Sequence, residues 1–360
     1  MSEKVKKPNL FTSLFALFIY DLFGEINSWS KVYKQGWLNY IQSFQDKESG
    51  YFLEKSLGIN TDNANKKPLY QLNTFCLSAL GILDAAPIHK LKFSDEYLTV
   101  GYLEKYLEKH NCLNGLPGSG NFAMFLGIFI THRLKDYESS DYKLILNNWF
   151  KKHDENIKIN GLWGDSFSDS TVWGFQNALH QLIIYKYWEK FPPKVNVLVN
   201  KILVLQDKQG NYGALPGGSG CFDYDASFIL LNFATDQDSS RVYNQLLKLH
   251  NSIILSQNKD GGFCETNRYP KNIIQLYKGA KNYSNDYNFI SFFYRLREMV
   301  RYLKKEKQYH SNHWSQEAYK LEDSDLWNTW FRLLTIAQIE KKYIKNVKWN
   351  FHKTIGLGYF

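Results

Sequence analysis

The sequence predicts an all-α fold, an α/α toroid of five to six helical hairpins that runs through residues 1–360 as a single domain. Three observations predict it: a turn that recurs, a near-absence of strand patterns, and a division of the helical runs into two kinds. The turn is clearest in Leu205-Gln206-Asp207-Lys208-Gln209-Gly210-Asn211-Tyr212-Gly213. Gln257-Asn258-Lys259-Asp260-Gly261-Gly262-Phe263 repeats it, and Gln45-Asp46-Lys47-Glu48-Ser49-Gly50-Tyr51-Phe52 precedes it. In each, an apolar helical run ends in Gln, a short polar turn follows, and Gly stands before an aromatic residue. Asn114-Gly115-Leu116-Pro117 and Asn160-Gly161-Leu162-Trp163 fill the same slot more weakly. The turn glycines at 50, 115, 161, 210 and 261 are 65, 46, 49 and 51 residues apart. A period near fifty with helix on both sides means stacked helical hairpins.

The runs before the turns are amphipathic. Trp37, Tyr40, Ile41 and Phe44 share one stripe, and the runs Val197–Leu205 and Leu246–Leu255 behave alike. The runs after the turns are more evenly apolar: Thr74–Leu83, Phe122–Ile130, Val172–Tyr187, Ala226–Ala234, Phe289–Tyr302 and Leu326–Ile339. Helices apolar all round are buried on all sides, so the amphipathic set makes an outer ring and the apolar set an inner one. Alternating β-branched runs between hairpin turns are scarce. An open solenoid is the competing arrangement, but it needs polar end caps, and Leu14–Phe23 and Trp327–Ile336 are hydrophobic.

Composition narrows the function classes. Hydrophobic residues make up 44% and aromatic residues 17%, enough for a large core and for a cavity lined by rings. A lineage bias toward Lys, Asn, Tyr and Ile is the other explanation of the aromatic content. The net charge of +9 reads as a solvated surface, with attraction to anionic membranes or anionic substrates as the alternative. Nucleic acid is not expected, because no binding motif accompanies the charge. Cys76, Cys112, Cys221 and Cys264 show no CxxC pairing and fit a reducing compartment. Leu10–Phe23 follows basic residues, yet Asp21 interrupts it and it is too short to span a bilayer. It reads as a packed first helix, with a membrane-surface helix as the second reading. A cytoplasmic protein, with peripheral membrane contact as a possibility, is the expectation.

The repeat resembles the Gln-Trp-type repeat of terpenoid cyclases and of the related protein prenyltransferase β-subunits, which are α/α toroids. The similarity is clearest from Lys201 to Glu265 and fainter from Trp37 to Asp165, and the residue after Gly is more often Tyr or Phe than Trp. Class II cyclases carry an Asp-x-Asp-Asp motif whose middle acid protonates an alkene. Asp223 and Asp225 match its first two acids, so the resemblance makes Asp225 the proton donor; Ala226 stands where the third acid belongs. Prenyltransferase zinc sites use an Asp-x-Cys order, whereas Cys221-Phe222-Asp223 runs the other way, so no metal and no cofactor is assigned.

In a toroid, the connections into the inner helices gather at one mouth of the central cavity, where a site belongs. Gly217-Gly218-Ser219-Gly220-Cys221-Phe222-Asp223-Tyr224-Asp225 supplies a Gly-rich loop and two acids, with Tyr224 between them. The plain alternative makes Asp223 an N-cap and Asp225 a first-turn acid. A helix N-terminus also lowers a carboxyl pKa, so a proton donor there requires desolvation or a shared proton. Trp163 and Asp165 precede another inner helix, on which Trp173, Gln176, Asn177 and His180 share a face. Asp325, Asn328 and Arg332 follow one another along the last apolar run, with Trp327 and Trp330 available to stack on a substrate. Arg332 and Arg268 are candidate anion binders. Asp225, Asp223 and His180 are therefore the catalytic candidates, and the remainder are substrate-binding candidates. The expected activity is acid–base chemistry on an isoprenoid-type or other apolar substrate. A carbohydrate-active toroid and a non-catalytic binding toroid are the alternatives.

Overall fold

The computed structural model describes residues 8–136, 140–164, 171–283, 289–344 and 347–356. It is all-α. Among the described residues strand is confined to one short antiparallel pair, Tyr309–His310 with Tyr319–Lys320. The first helices are α1 (Leu10–Leu22), α2 (Lys31–Gln42), α3 (Lys67–Ile82) and α4 (Tyr102–Lys109). Next come α5 (Ser119–Asp136), α6 (Ser140–Asn156), α7 (Thr171–Tyr187), α8 (Val195–Leu205) and α9 (Gly220–Phe233). The last are α10 (Ser239–Ile254), α11 (Ile273–Asn282), α12 (Phe289–Tyr302) and α13 (Leu326–Tyr343).

Two kinds of helix are present, and they pack differently. α1 lies against α3, α3 against α5, α5 against α7, α7 against α9 and α9 against α13; α13 returns to α1. The amphipathic helices pack against members of this cycle: α6 on α5, α8 on α7 and α9, α10 on α9 and α13. α1 packs into the core, with Tyr20 exposed beside Ala16 in a groove shared with Val32, Tyr33 and Trp37. Its Leu10, Phe11, Leu14, Phe15, Leu17 and Phe18 have no exposed surface. Burial of each such side chain contributes about 2 kcal/mol. The start of α1 is fixed by a capping box: Thr12 N donates to Asn9 Oδ1 at 2.9 Å, and Asn9 N donates to Thr12 Oγ1 at 3.3 Å. Among the described residues no helix is long and apolar enough to cross a membrane.

One expected buried helix is not buried. α12 exposes Phe289, Ile290, Phe293 and Val300 and turns Ser291, Arg295, Glu298 and Met299 inward. It packs on α11 and, among the described residues, meets the core helices through the start of α7, where Thr171 N donates to Ser291 Oγ at 3.1 Å and Trp173 faces Tyr294. Its apolar residues form two stripes, one facing a small second core around Tyr283, Met299 and Leu321 and one facing outward. Counting apolar residues hid that division, and the sixth place in the cycle belongs to α1.

The recurring turn has a common chemistry. Gly50, Gly115, Gly161, Gly210 and Gly261 all take left-handed φ, at 81°, 69°, 78°, 108° and 84°. The Gln that ends the preceding helix then closes the turn. Gln45 Nε2 donates to Gly50 O at 3.0 Å, Gln206 Nε2 to Gly210 O at 2.9 Å, and Gln257 Nε2 to Gly261 O at 2.7 Å. Gln45 Nε2 also donates to His89 O at 2.8 Å, and Gln206 Nε2 to Gln245 O at 2.7 Å, which ties the turn to the next outer segment. Each turn is then stapled to the following core helix through a backbone amide. Phe52 N donates to Asn73 Oδ1 at 2.8 Å, Tyr212 N to Asp223 Oδ1 at 2.8 Å, and Phe263 N to Thr329 Oγ1 at 3.0 Å. Asp223 thus holds a scaffold position that Asn and Thr fill elsewhere.

Candidate functional site

The first turn of α9 carries the densest set of polar groups. Ser219, not Asp223, caps this helix: its Oγ accepts from Phe222 N at 3.4 Å. Asp223 lies one turn further in and is fully buried. It accepts from Asn211 Nδ2 at 3.0 Å, from Tyr212 N at 2.8 Å and from the guanidinium of Arg332. Burial raises its pKa to about 6 against the pull of Arg332 and the Tyr212 amide, so Asp223 is ionised at neutral pH. Arg332 also donates to Gly217 O at 3.0 Å and to Glu265 O at 3.1 Å. Its Nη1 and Nη2 groups therefore point at protein acceptors, while its buried Nε has none among the described residues. Asp325 caps α13 through Asn328 N at 2.8 Å and accepts from Asn328 Nδ2 at 2.7 Å. Arg332, one turn on, pairs across to α9 instead of along its own helix.

Asp225 is different. It is 2% exposed, and its Oδ2 has no hydrogen-bond partner among the described residues. Burial first and the Asp223 charge second push its carboxyl well above the usual range. The desolvation that a proton donor requires here is present, and it opposes the helix dipole. Glu265, on the loop after the Gly261 turn, is a second raised acid. Burial raises it, while Arg332 and hydrogen bonds from Asn328 and Ser219 restrain the rise. These residues bring Asp223, Asp225, Glu265, Asn328 and Arg332 into one cluster.

Around the cluster lie side chains that are only half buried, yet whose ionisation is governed by desolvation. His180 is lowered to about 4 by burial, with the Lys67 charge adding to the effect. Its Nδ1 lies 2.7 Å from Gln176 O, so Nδ1–H donates and Nε2 keeps its lone pair. His313, lowered to about 4 by burial with the Lys67 charge adding, donates from Nε2 to Gln71 Oε1 at 2.9 Å. Lys67 is itself lowered by burial, and its Nζ is 3.6 Å from where a Cβ on Gly118 would stand. Burial and the nearby acids Asp225 and Glu265 raise the Cys221 thiol. Trp173 meets Phe222 and Tyr294 edge-on, with ring centroids 5.7 and 6.1 Å away.

The other sequence candidates fall in separate places. Trp163 is a core residue whose Nε1 donates to His153 O at 2.8 Å. Tyr224 is buried with its ring 5.2 Å from Phe331. Asn177 fastens the preceding loop to α7. Its Oδ1 accepts from Gly118 N at 3.2 Å, and its Nδ2 donates to Leu116 O at 3.0 Å. Gln176 Oε1 has no partner among the described residues. Trp327 stacks on Trp314 at 4.3 Å, and both line a cleft of about 600 Å³ with Asp325 and Asn258. Arg268 lines a separate concavity with Gln209. Asp165, like Ser166 and Asp169, lies outside the described residues. Lys67 and Glu265 carried no functional reading in the sequence. The one available signal for Glu265 was its place just after a repeat turn, where Arg268 drew attention instead.

Among the described residues no three His, Cys, Asp or Glu side chains converge as a metal site. Comparison with protein-family models, with curated proteins and with solved structures gave no match.

Proposed function

We propose that this chain is an enzyme built as an α/α toroid, and that it performs acid–base chemistry on an oxygen-rich substrate, a glycan or glycan precursor. The closed cycle α1–α3–α5–α7–α9–α13 with amphipathic helices packed against it supports the toroid. The single observation that carries the chemistry is Asp225, a buried carboxyl with an unpartnered oxygen, its pKa pushed well up by burial beside the Asp223–Arg332 pair. In this reading Asp225 gives a proton and His180 Nε2, on an imidazole lowered to about 4, takes one. Glu265 is the second acid, and Arg332 fixes Asp223 and the Glu265 backbone. The substrate class follows from these neighbours. Lys67, Gln71, Gln176 and Glu265 suit hydroxyl groups, and the half-buried Trp173 suits the face of a sugar ring. The aromatic group Trp173, Phe222 and Tyr294 favours a second reading, the cyclase- or prenyltransferase-like handling of an isoprenoid with Asp225 protonating an alkene.

The test is to incubate purified wild type and Asp225→Asn with separated glycan and lipid fractions and to compare products by mass spectrometry. The expected result is a glycan-fraction conversion that Asp225→Asn lowers by about 10²–10⁴-fold, the usual worth of a general acid. Conversion confined to the lipid fraction selects the isoprenoid reading. Equal products from both proteins remove Asp225 as donor.

A further inference from the structure

α11 and α12 stand outside the cycle of core helices and share a small core of their own, toward which Leu276, Ala280, Phe292 and Leu296 point. Their opposite faces present Ile273, Ile274 and Tyr277 on α11 and Phe289, Ile290, Phe293 and Val300 on α12. Phe289 is 77% exposed, Ile273 76% and Tyr277 71%. No other stretch of this length holds as many large exposed apolar side chains among the described residues. Such a patch marks an interaction surface.

Charge is concentrated in the same place. From Arg268 to Lys307 the sequence has ten Lys and Arg against three Asp and Glu, seven of the chain's nine net positive charges. At the edge of α11 a concavity of about 320 Å³ is lined by Arg268, Lys271 and Lys278, together with Gln209 and Gln275 but no carboxylate. Among the described residues Arg268 Nη1 donates there to neutral oxygens, Gln209 Oε1 at 2.7 Å and Ser252 Oγ at 3.3 Å. Lys271 is held at 2.5 Å by Glu322.

We propose that the α11–α12 face docks in plane on an anionic lipid bilayer, with the Arg268–Lys271–Lys278 concavity receiving a lipid phosphate. Each element selects this occupant. At 10 and 14 residues the helices are too short to span a bilayer but suit its interface. A second copy of the chain would bring two positively charged surfaces, each with exposed Lys271, Lys278, Lys281 and Arg297, face to face. Nucleic acid would match the charge and leave seven apolar side chains unburied. This surface is independent of the reaction proposed above.

Vesicle flotation of the full chain tests it, with phosphatidylcholine alone and with added phosphatidylglycerol. Binding is expected on the anionic vesicles, weakening as salt rises. The exposed double variant Phe289→Ser/Phe293→Ser should lower affinity about tenfold or more, and Lys278→Glu about fivefold or more. Circular dichroism is expected to show both variants folded. Absence of binding to anionic vesicles at low salt overturns the proposal, as does equal binding to neutral ones. A dimer in sedimentation that Phe289→Ser/Phe293→Ser dissolves also overturns it, and makes the face a self-interface.

Discussion

Asp223 of α9 and Arg332 of α13 form a buried ion pair across 109 residues of sequence, and the pair joins three separate segments. Asp223 holds the Gly210 turn through Asn211 and Tyr212, while Arg332 holds the Gly217 and Glu265 carbonyls. Removing one partner of a buried pair strands the other charge and costs about 3–5 kcal/mol. Arg332→Met should therefore destabilise the chain by that amount in denaturant unfolding. Asp223→Asn keeps a hydrogen-bonding side chain and should cost less. The double variant should cost less than the two single changes added together. An Arg332→Met protein within about 1 kcal/mol of wild type would show that the pair is dispensable.

The turn glycines differ in what a side chain would meet, which separates two costs. At Gly261, φ is +84° and nothing lies within 4 Å of an added Cβ. Gly261→Ala should cost only the left-handed penalty of about 1–2 kcal/mol. At Gly50 an added Cβ would sit 2.2 Å from Lys90 O, a backbone atom that cannot swing aside. Gly50→Ala should therefore cost clearly more, and thermal unfolding of the two variants in parallel reads the difference. Equal losses would mean that the Lys90 segment yields freely.

Those same glycines explain how much of the fold was legible. A left-handed residue strongly favours Gly, and a side chain that must reach its carbonyl favours Gln, so the turn recurs visibly. The staple on the next helix accepts Asn73, Asp223 or Thr329, because any short acceptor satisfies an amide. Asp223 therefore looked like a motif acid while filling a structural place. α12 was misjudged because apolar residues at its outward positions are indistinguishable by composition from those at its inward ones. In the site, Asp225 was legible from its position at the start of a buried run. The convergence of Lys67, Gln71 and His313 was not, since they meet only through tertiary packing and share no spacing. The unsatisfied Oδ2 of Asp225 has no sequence signature at all.

Buried neutral histidines set the acid side of stability. His153 stacks on Trp149 at 3.7 Å, its Nδ1 lies 2.7 Å from Trp149 O, and burial lowers it to about 3. An unfolded His titrates near 6.5. Between about 6.5 and about 3 the unfolded chain therefore binds the extra proton, and stability falls as pH falls. His180 acts in the same direction down to about 4. His153→Phe keeps a ring but loses one hydrogen bond, about 1 kcal/mol at pH 7. Its unfolding free energy should fall less steeply below pH 6 than that of wild type. Parallel slopes from pH 7 to pH 4 would mean that His153 is not a source of the acid lability.

The chain end is held to α1 by a titratable contact. His352 Nδ1 lies 2.5 Å from Asp21 Oδ1, Asn350 Nδ2 donates to the same oxygen at 2.9 Å, and Asn350 N donates to Leu22 O at 3.0 Å. The hydrogen bond to Asp21 raises the His352 pKa, with burial opposing and the Asp21 charge adding. A raised folded pKa means that the contact contributes fully below the unfolded value near 6.5 and is lost as pH rises through the folded one. Amides from 347 to 356 should then exchange about two- to fivefold faster, relative to the intrinsic rate, at pH 8.5 than at pH 6, as the loss of one partly exposed ion pair implies. His352→Gln carries no charge at either pH and should remove the difference. Unchanged protection in wild type across that range would show that Asn350 alone holds the segment, with His352 a neutral neighbour.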